Sequence, residues 1–304
     1  MGIVTSEEIY KKCLTKDWAV GGFIGYDMEI MQATVEAGIR VQAPIMIQNS
    51  CRVIDYAGVN FIQKMAEAVV ETYGVDIILH LDHGDTVERC KECVDHGFSS
   101  VMLDCTGDSF EENVRKTREV VRYAHARGAV VEGEICHPLD GAERYATDVE
   151  EAVKYVELTG CDSLSICCGN AHDIAYDYPK HLHLNKIREI HQALPEMPLV
   201  LHATSIFSES FVDRANRCGA CMKQPLNFTV EELQETYPYG VCKINSAMDI
   251  KILYTTAIRE YMLRHPEQMD LRKYLGYAKE QVIEHIGKKH IEIYVHCDNH
   301  VHIC

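Results

Sequence analysis

The chain carries no excess of positive charge, no long apolar run and none of the glycine-rich phosphate signatures. Over 304 residues, 30 lysines and arginines face 46 aspartates and glutamates, a formal net charge of −16. Nucleic-acid backbones and anionic membranes attract basic surfaces, so this balance argues against both as partners. An anionic substrate stays open, because a local site can be positive on an acidic molecule. No run approaches the roughly 18 consecutive apolar residues of a membrane span. The start, Met1-Gly2-Ile3-Val4-Thr5-Ser6-Glu7-Glu8, has no basic stretch ahead of an apolar core, so no signal peptide is expected and a cytoplasmic protein is. A dinucleotide fingerprint, a P-loop, a short-period repeat and a low-complexity linker are all missing.

What is there belongs to a globular protein: 47% apolar and 25% charged residues. The 14 cysteines, without a secretory signal, are not expected to form a disulfide framework and should pack as small apolar residues. Two Cys-x-x-Cys pairs, Cys90/Cys93 and Cys218/Cys221, have zinc-site spacing. The first lies in a helical pattern where i and i+3 share a face, which favours packing.

Strand-length apolar runs recur at 18–24, 43–48, 76–82, 99–104, 129–135, 162–168, 197–202 and 240–245. Helical periodicity fills the gaps, as in Val59, Phe61, Ile62, Met65, Ala66, Val69 and Val70. Thr147-Asp148-Val149-Glu150-Glu151 opens a helix with a capping residue and early acids. Eight strands, each followed by a helix, predict an α/β fold, the (β/α)8 TIM barrel, with an open doubly wound sheet as the alternative. The expected division is a single barrel domain over 1–287, including a C-terminal helical extension, and a His/Cys-rich tail over 288–304. Alternating His and Cys in that tail suit a second metal, a half-buried strand or a dimer contact.

In such a barrel the strand C-terminal ends carry the chemistry. There stand His80-Leu81-Asp82-His83-Gly84, Asp104, Glu132-Gly133-Glu134, Asn170-Ala171-His172-Asp173, His202 and Lys243-Ile244-Asn245. Three neutral imidazoles with an open position make a usual catalytic zinc arrangement, and a nearby carboxylate can move protons.

These same residues resemble the class II, zinc-dependent ketose-bisphosphate aldolases, the family of fructose- and tagatose-bisphosphate aldolases. The most specific segments are Leu79-His80-Leu81-Asp82-His83-Gly84, Gly97 to Asp104, Val131-Glu132-Gly133-Glu134, Pro198 to His202 and Gly240 to Asn245. The resemblance implies that His83, His172 and His202 bind Zn2+, with room for a second or a monovalent cation. It implies that Asp82 exchanges a proton with the C4 hydroxyl as the C3–C4 bond breaks. Glu143, aligned with a one-residue insertion, matches a mobile-loop glutamate acting at the carbanion carbon. Asp104 and Glu132 match carboxylates near the metal, in orienting or second-metal roles. Ser50, Ser205, Asn245, Asp249 and Arg272 are the expected substrate-binding residues. In the family the arginine reaches in from a partner subunit, so a homodimer or homotetramer acting on a small sugar phosphate is expected.

The phosphate positions depart from the family pattern. Asp173, Ala203 and Ile206 stand where glycines or small residues cradle the ketone-side phosphate, and Ala247-Met248 replaces a pair with a hydroxyl. A carboxylate at Asp173 would oppose a phosphate dianion by a few kcal/mol at ~4 Å and an effective dielectric of ~20. Ile24 and Arg52 differ near the distal phosphate. Metal-assisted aldol cleavage of a phosphorylated ketose is therefore the leading expectation. A rearranged loop using Arg52 or Arg144 would still bind a bisphosphate; the alternatives are a ketose lacking the 1-phosphate, a zinc-dependent sugar-phosphate epimerase or isomerase, and a silent sensor.

Overall fold

Each of the eight apolar runs becomes a strand, with the ends trimmed or shifted by one to three residues. In a computed structural model, which describes residues 1–138, 145–170, 181–224 and 228–289, they are β1 (Val20–Ile24), β2 (Met46–Ser50), β3 (Ile78–Gly84), β4 (Ser100–Leu103), β5 (Val130–Ile135), β6 (Ser163–Ile166), β7 (Leu199–Leu201) and β8 (Val241–Ser246). All pair in parallel with their sequence neighbours, and β8 closes on β1 through Val20↔Lys243 and Gly22↔Asn245. This is the expected TIM barrel. The open-sheet alternative falls because no barrel strand is left with a free edge.

Helices cover the outside in sequence order: α1 (Glu7–Lys16), α2 (Met28–Val41), α3 (Cys51–Ala57), α4 (Val59–Tyr73), α5 (Val87–Asp95), α6 (Phe110–His125), α7 (Val149–Thr159), α8 (Leu184–Ala193), α9 (Glu209–Arg217), α10 (Val230–Gln234), α11 (Met248–Arg264) and α12 (Leu271–Lys289). Their starts follow from local chemistry. Asp27, Thr86, Ser109, Asp148 and Ser208 each accept a hydrogen bond from an amide two or three residues on, which satisfies donors that the helix leaves orphaned. Asp148 is the capping residue of the helix expected to open at Thr147-Asp148-Val149-Glu150-Glu151. Helix α4 buries Ile62, Ala66 and Val69, whereas Phe61 is 71% exposed. A residue beside Ile62 is turned about 100° away from it, so Phe61 does not belong to the core stripe.

Two clusters of apolar side chains hold the fold. The larger fills the layer between strands and outer helices. The smaller joins Ile9, Tyr10 and Cys13 of α1 to Trp18, Val20, Met46, Ile78 and Cys242, so α1 plugs the barrel at the strand starts. The opposite end is left for polar side chains. Helix α12 lies along α2 and α11, which brings the C-terminal part of the chain against the end of β8.

One covalent feature corrects the sequence reading. Cys136, directly after β5, and Cys167, directly after β6, form a disulfide with Cα atoms 5.3 Å apart. Ile135 and Ile166 are paired in register, so the next residue of each strand lies side by side with its partner. Ten other cysteines among the described residues are free, eight of them buried. Cys90 and Cys93 sit in the core, in keeping with the packing reading. Peptide mapping without reductant should recover Cys136 linked to Cys167. Cys136→Ser should lower unfolding stability by roughly 3–4 kcal/mol for a crosslink spanning 31 residues, read from denaturant melts; an unchanged midpoint would contradict the crosslink.

Candidate active site

Side chains alternate along a strand, so the residues pointing into the barrel can be followed layer by layer. The deeper layer is a charged network. Lys243, fully buried on β8, places Nζ 2.8 Å from Glu132 Oε2 and 3.0 Å from His80 Nε2. His80 in turn turns Nδ1 to Ser100 Oγ at 2.8 Å. With an ammonium donating to Nε2, the imidazole donates from Nδ1. Burial, and then the charge of Lys243, push His80 down to about 3, so it is neutral. Burial works against the charge of Glu132, but Lys243 and His202 hold it well below the usual carboxylate range.

The upper layer rests on this network. Glu132 Oε1 lies 2.8 Å from His202 Nε2. Asn245 donates its amide to His202 Nδ1 at 3.0 Å and to Asp82 Oδ1 at 2.9 Å. His202 therefore donates from Nε2 to Glu132 and accepts at Nδ1, on the side of Asp82 and His83. His83 stands edge-on to His202, with ring centroids 4.5 Å apart, and its Nδ1 meets Asp104 Oδ2 at 2.9 Å. Asp104 is itself fixed by the amide and hydroxyl of Thr106. The backbone at His83 is left-handed, φ 50°, an uncommon conformation for a residue with a side chain and one that re-aims this side chain at the strand end.

One potential ligand atom each from Asp82, His83 and His202 lies within 4.8 Å of the others, and a second such group joins His83, Asp104 and Glu134. The electrostatics fit a cation. Burial disfavours charge at His83, yet Asp82, Asp104 and Glu134 together raise it to about 9. Asp82 is held below its ordinary value, because His83, His202 and Lys243 outweigh the effect of burial. Glu134 is pushed up to about 8, first by burial and further by Asp104. A buried set of carboxylates that draws a proton onto an imidazole is one that would also accept a metal ion.

The structure brings together Asp82, His83, His202, Asp104, Glu132 and Asn245. Glu143, His172, Asp173, Arg144 and residues 290–304 lie outside the described residues. Asn170, two positions before 172, donates to the carbonyl of His202 and accepts from the Cys168 amide, so the chain leading to His172 is tied to His202. Of the two roles expected for Glu132, its contact with His202 fits the orienting one, and Glu134 is the carboxylate grouped with His83 and Asp104. Ser50, at the end of β2, is paired in register with Asp82. Asp249 is also corrected. It is fully buried, with Ser205, Ser246, His285 and Lys289 all against its carboxylate, so it is a structural hub rather than a substrate ligand. The Arg272 side chain is 84% exposed and its guanidinium is engaged by Asp270; within one chain it is not brought to the site.

Glu134, Lys243, His80 and Gln48 have no individual role among the expectations drawn from the sequence. Glu134 follows Glu132 at the strand period of two, and that signal was available. Gln48 is fully buried, and neither polar atom of its side chain has a partner; the same holds for Asn245 Oδ1. Gln48 and Asn245 crowd Gly22, where any Cβ would collide with the Gln48 amide. Unpaired buried polar atoms are rare and costly, so a cluster of them beside Asp82 marks a place where a polar molecule fits.

The loop after β7 begins at Ala203. This residue is left-handed, φ 56°, the conformation that glycine adopts freely and alanine only at a cost of about 1 kcal/mol. Thr204 anchors the loop to the Asn245 carbonyl, and Ser205 to Asp249. The turn thus follows a backbone path that suits glycine, with an alanine in it.

A family model described as fructose-bisphosphate aldolase class-II matches residues 4–298. The fructose-bisphosphate aldolase of Giardia intestinalis is 35% identical over 295 residues, covering 93% of this chain and 90% of that protein. That of Thermus caldophilus is 32% identical over 305 residues, covering 96% and 98%. Among solved structures, the YdjI aldolase from Escherichia coli K12 superposes with a TM-score of 0.79 at 22% identity, over 96% of this chain and 97% of the other. The fructose-bisphosphate aldolase of Campylobacter jejuni gives 0.77 at 20%, over 96% and 95%; at these identities the likeness speaks for the fold alone. Sequence, barrel and site geometry agree: the chain belongs to the class II fructose-bisphosphate aldolase family of metal-dependent aldehyde-lyases.

Proposed function

We propose that the enzyme cleaves fructose 1,6-bisphosphate reversibly into two triose phosphates, using zinc held by His83, His202 and His172. The observation that carries this reading is the convergence of Asp82, His83 and His202 at the ends of β3 and β7, with Glu132 and Asp104 behind the two imidazoles. A divalent cation there supplies a Lewis acid for the negative charge that carbon–carbon cleavage leaves on the substrate. His202 would bind through Nδ1, with the Asn245 amide giving up that nitrogen, because Nε2 donates its hydrogen to Glu132, and His83 would bind through Nε2, because Asp104 holds Nδ1. Such carboxylate–histidine pairs fix the tautomer and ring orientation.

Asp82 is the proton carrier in this account. In cleavage its carboxylate takes the proton of the C4 hydroxyl, and in condensation it returns it. Asn245 holds one carboxylate oxygen, and the neighbouring positive charges keep the group ionised despite burial. The unpaired amide atoms of Gln48 and the Asn245 oxygen are suited to substrate hydroxyls. Glu143 keeps its expected role at the carbanion carbon. The left-handed Ala203 supports retention of the ketone-side phosphate, and the relatives, named for the bisphosphate, do not favour the alternative substrates or the epimerase. Exposed Arg272, flanked by exposed Met269 and Leu271, supports a dimer or tetramer in which it serves a partner's site. Ten free cysteines against the single Cys136–Cys167 bond among the described residues support a largely reducing, cytoplasmic setting.

A retro-aldol assay should show triose formation from fructose 1,6-bisphosphate that a strong chelator abolishes and zinc restores. Cleavage of fructose 6-phosphate alone would overturn the bisphosphate assignment. Asp82→Asn should lower kcat by about 10²–10⁴-fold with metal content unchanged by elemental analysis; near-wild-type turnover would remove Asp82 from its role. Metal affinity should also depend on pH. Without metal, His83 keeps a proton up to about pH 9, and a ligand must lose that proton to bind. Affinity should therefore rise about tenfold per pH unit from 7 towards 9 and then level off, with calorimetry in buffers of differing ionisation enthalpy reading at least one proton released. A flat profile would contradict this.

A further inference from the structure

The last turn of α12 reaches the loops at the end of β7 and β8. Lys289, with a side chain only 7% exposed, places Nζ 2.7 Å from Asp249 Oδ2 and 2.9 Å from Ser246 Oγ. His285, one turn earlier, sets Nε2 2.7 Å from the same carboxylate oxygen. On its other side Asp249 accepts from the hydroxyls of Ser246 and Ser205, both at 2.9 Å. Ser205 lies in the loop that begins at left-handed Ala203. Asp249 sits in the first turn of α11, whose N-terminus has no side-chain cap. A helix start and an open loop favour an anion, and a lone buried carboxylate among them would oppose one.

We propose that Lys289, aided by His285, is a positioning residue for the ketone-side phosphate. It cancels the charge of Asp249 and fixes that carboxylate, and Asp249 in turn orients Ser205 and the loop after His202. The C-terminal helix is then part of the substrate site without touching substrate. This inference rests on the bisphosphate aldolase reading and adds to it a division of labour. The α12–α11–β7 chain serves only the phosphate beside the ketone, so substrates lacking that group should not sense it.

The condensation reaction separates the two phosphates, because dihydroxyacetone phosphate brings one and glyceraldehyde 3-phosphate the other. In the full-length, zinc-loaded enzyme, Lys289→Met should raise KM for dihydroxyacetone phosphate at least tenfold. KM for glyceraldehyde 3-phosphate and kcat should stay within about twofold. Lys289→Arg should remain near wild type. The double variant Lys289→Met with Asp249→Asn, which removes both charges, should recover KM for dihydroxyacetone phosphate to within about threefold. An unchanged KM in Lys289→Met, or an equal rise for both substrates that the double variant does not reverse, would overturn the proposal. A wild-type enzyme without chelator-sensitive cleavage of the bisphosphate would instead overturn the reading on which it rests.

Discussion

The buried ion pair between Glu132 and Lys243 is the constraint on which the site depends. Removing two charges from water costs several kcal/mol each, and both side chains here are essentially inaccessible. The pair therefore cannot be explained as a simple gain in stability. What it gives is direction: Lys243 keeps Glu132 ionised, ionised Glu132 accepts a hydrogen bond from His202 Nε2, and the opposite nitrogen of that ring is left as an acceptor, held by Asn245 beside Asp82. Remove the cation and the carboxylate would protonate or seek another partner, and the tautomer of His202 would lose its cause.

Much of this was legible in the chain because a parallel barrel leaves a plain mark. Its strands are covered on the outside and packed on the inside, so they appear as continuous apolar runs, and their last residues gather at one end. Asp82-His83, Asp104 and His202 could be placed there from order alone. Their grouping could not, because a strand order says which end a residue occupies and not which neighbour it meets. Glu132 and Glu134 lie one strand period apart, yet one faces Lys243 and His202 while the other faces His83 and Ser165. Only the stagger of adjacent strands decides that. Lys243 stood inside a recognised motif, but a lysine at the centre of a barrel has no sequence signature.

Asp249 and Ala203 show two further limits of reading letters. Asp249, close after Asn245, resembles a substrate ligand until the C-terminal helix is in place, some forty residues later, and occupies its carboxylate. Ala203 resembles the loss of a phosphate cradle until its backbone is seen in the left-handed region. In the first case long-range packing withdrew a residue from the site. In the second the backbone takes a conformation that an alanine does not advertise. The Cys136–Cys167 bond is a third instance, since only the β5–β6 register brings the two residues together.

The central claim is that the Lys243–Glu132 pair aims His202 so that Nδ1, together with His83 Nε2, holds the catalytic metal. Crystals of the zinc-loaded enzyme measured on both sides of the zinc absorption edge would test it most directly. The account predicts one dominant anomalous peak at bonding distance from His202 Nδ1 and His83 Nε2, with Glu132 still on His202 Nε2. A peak bound to His202 through Nε2, with Glu132 displaced, or zinc held away from both imidazoles, would contradict it.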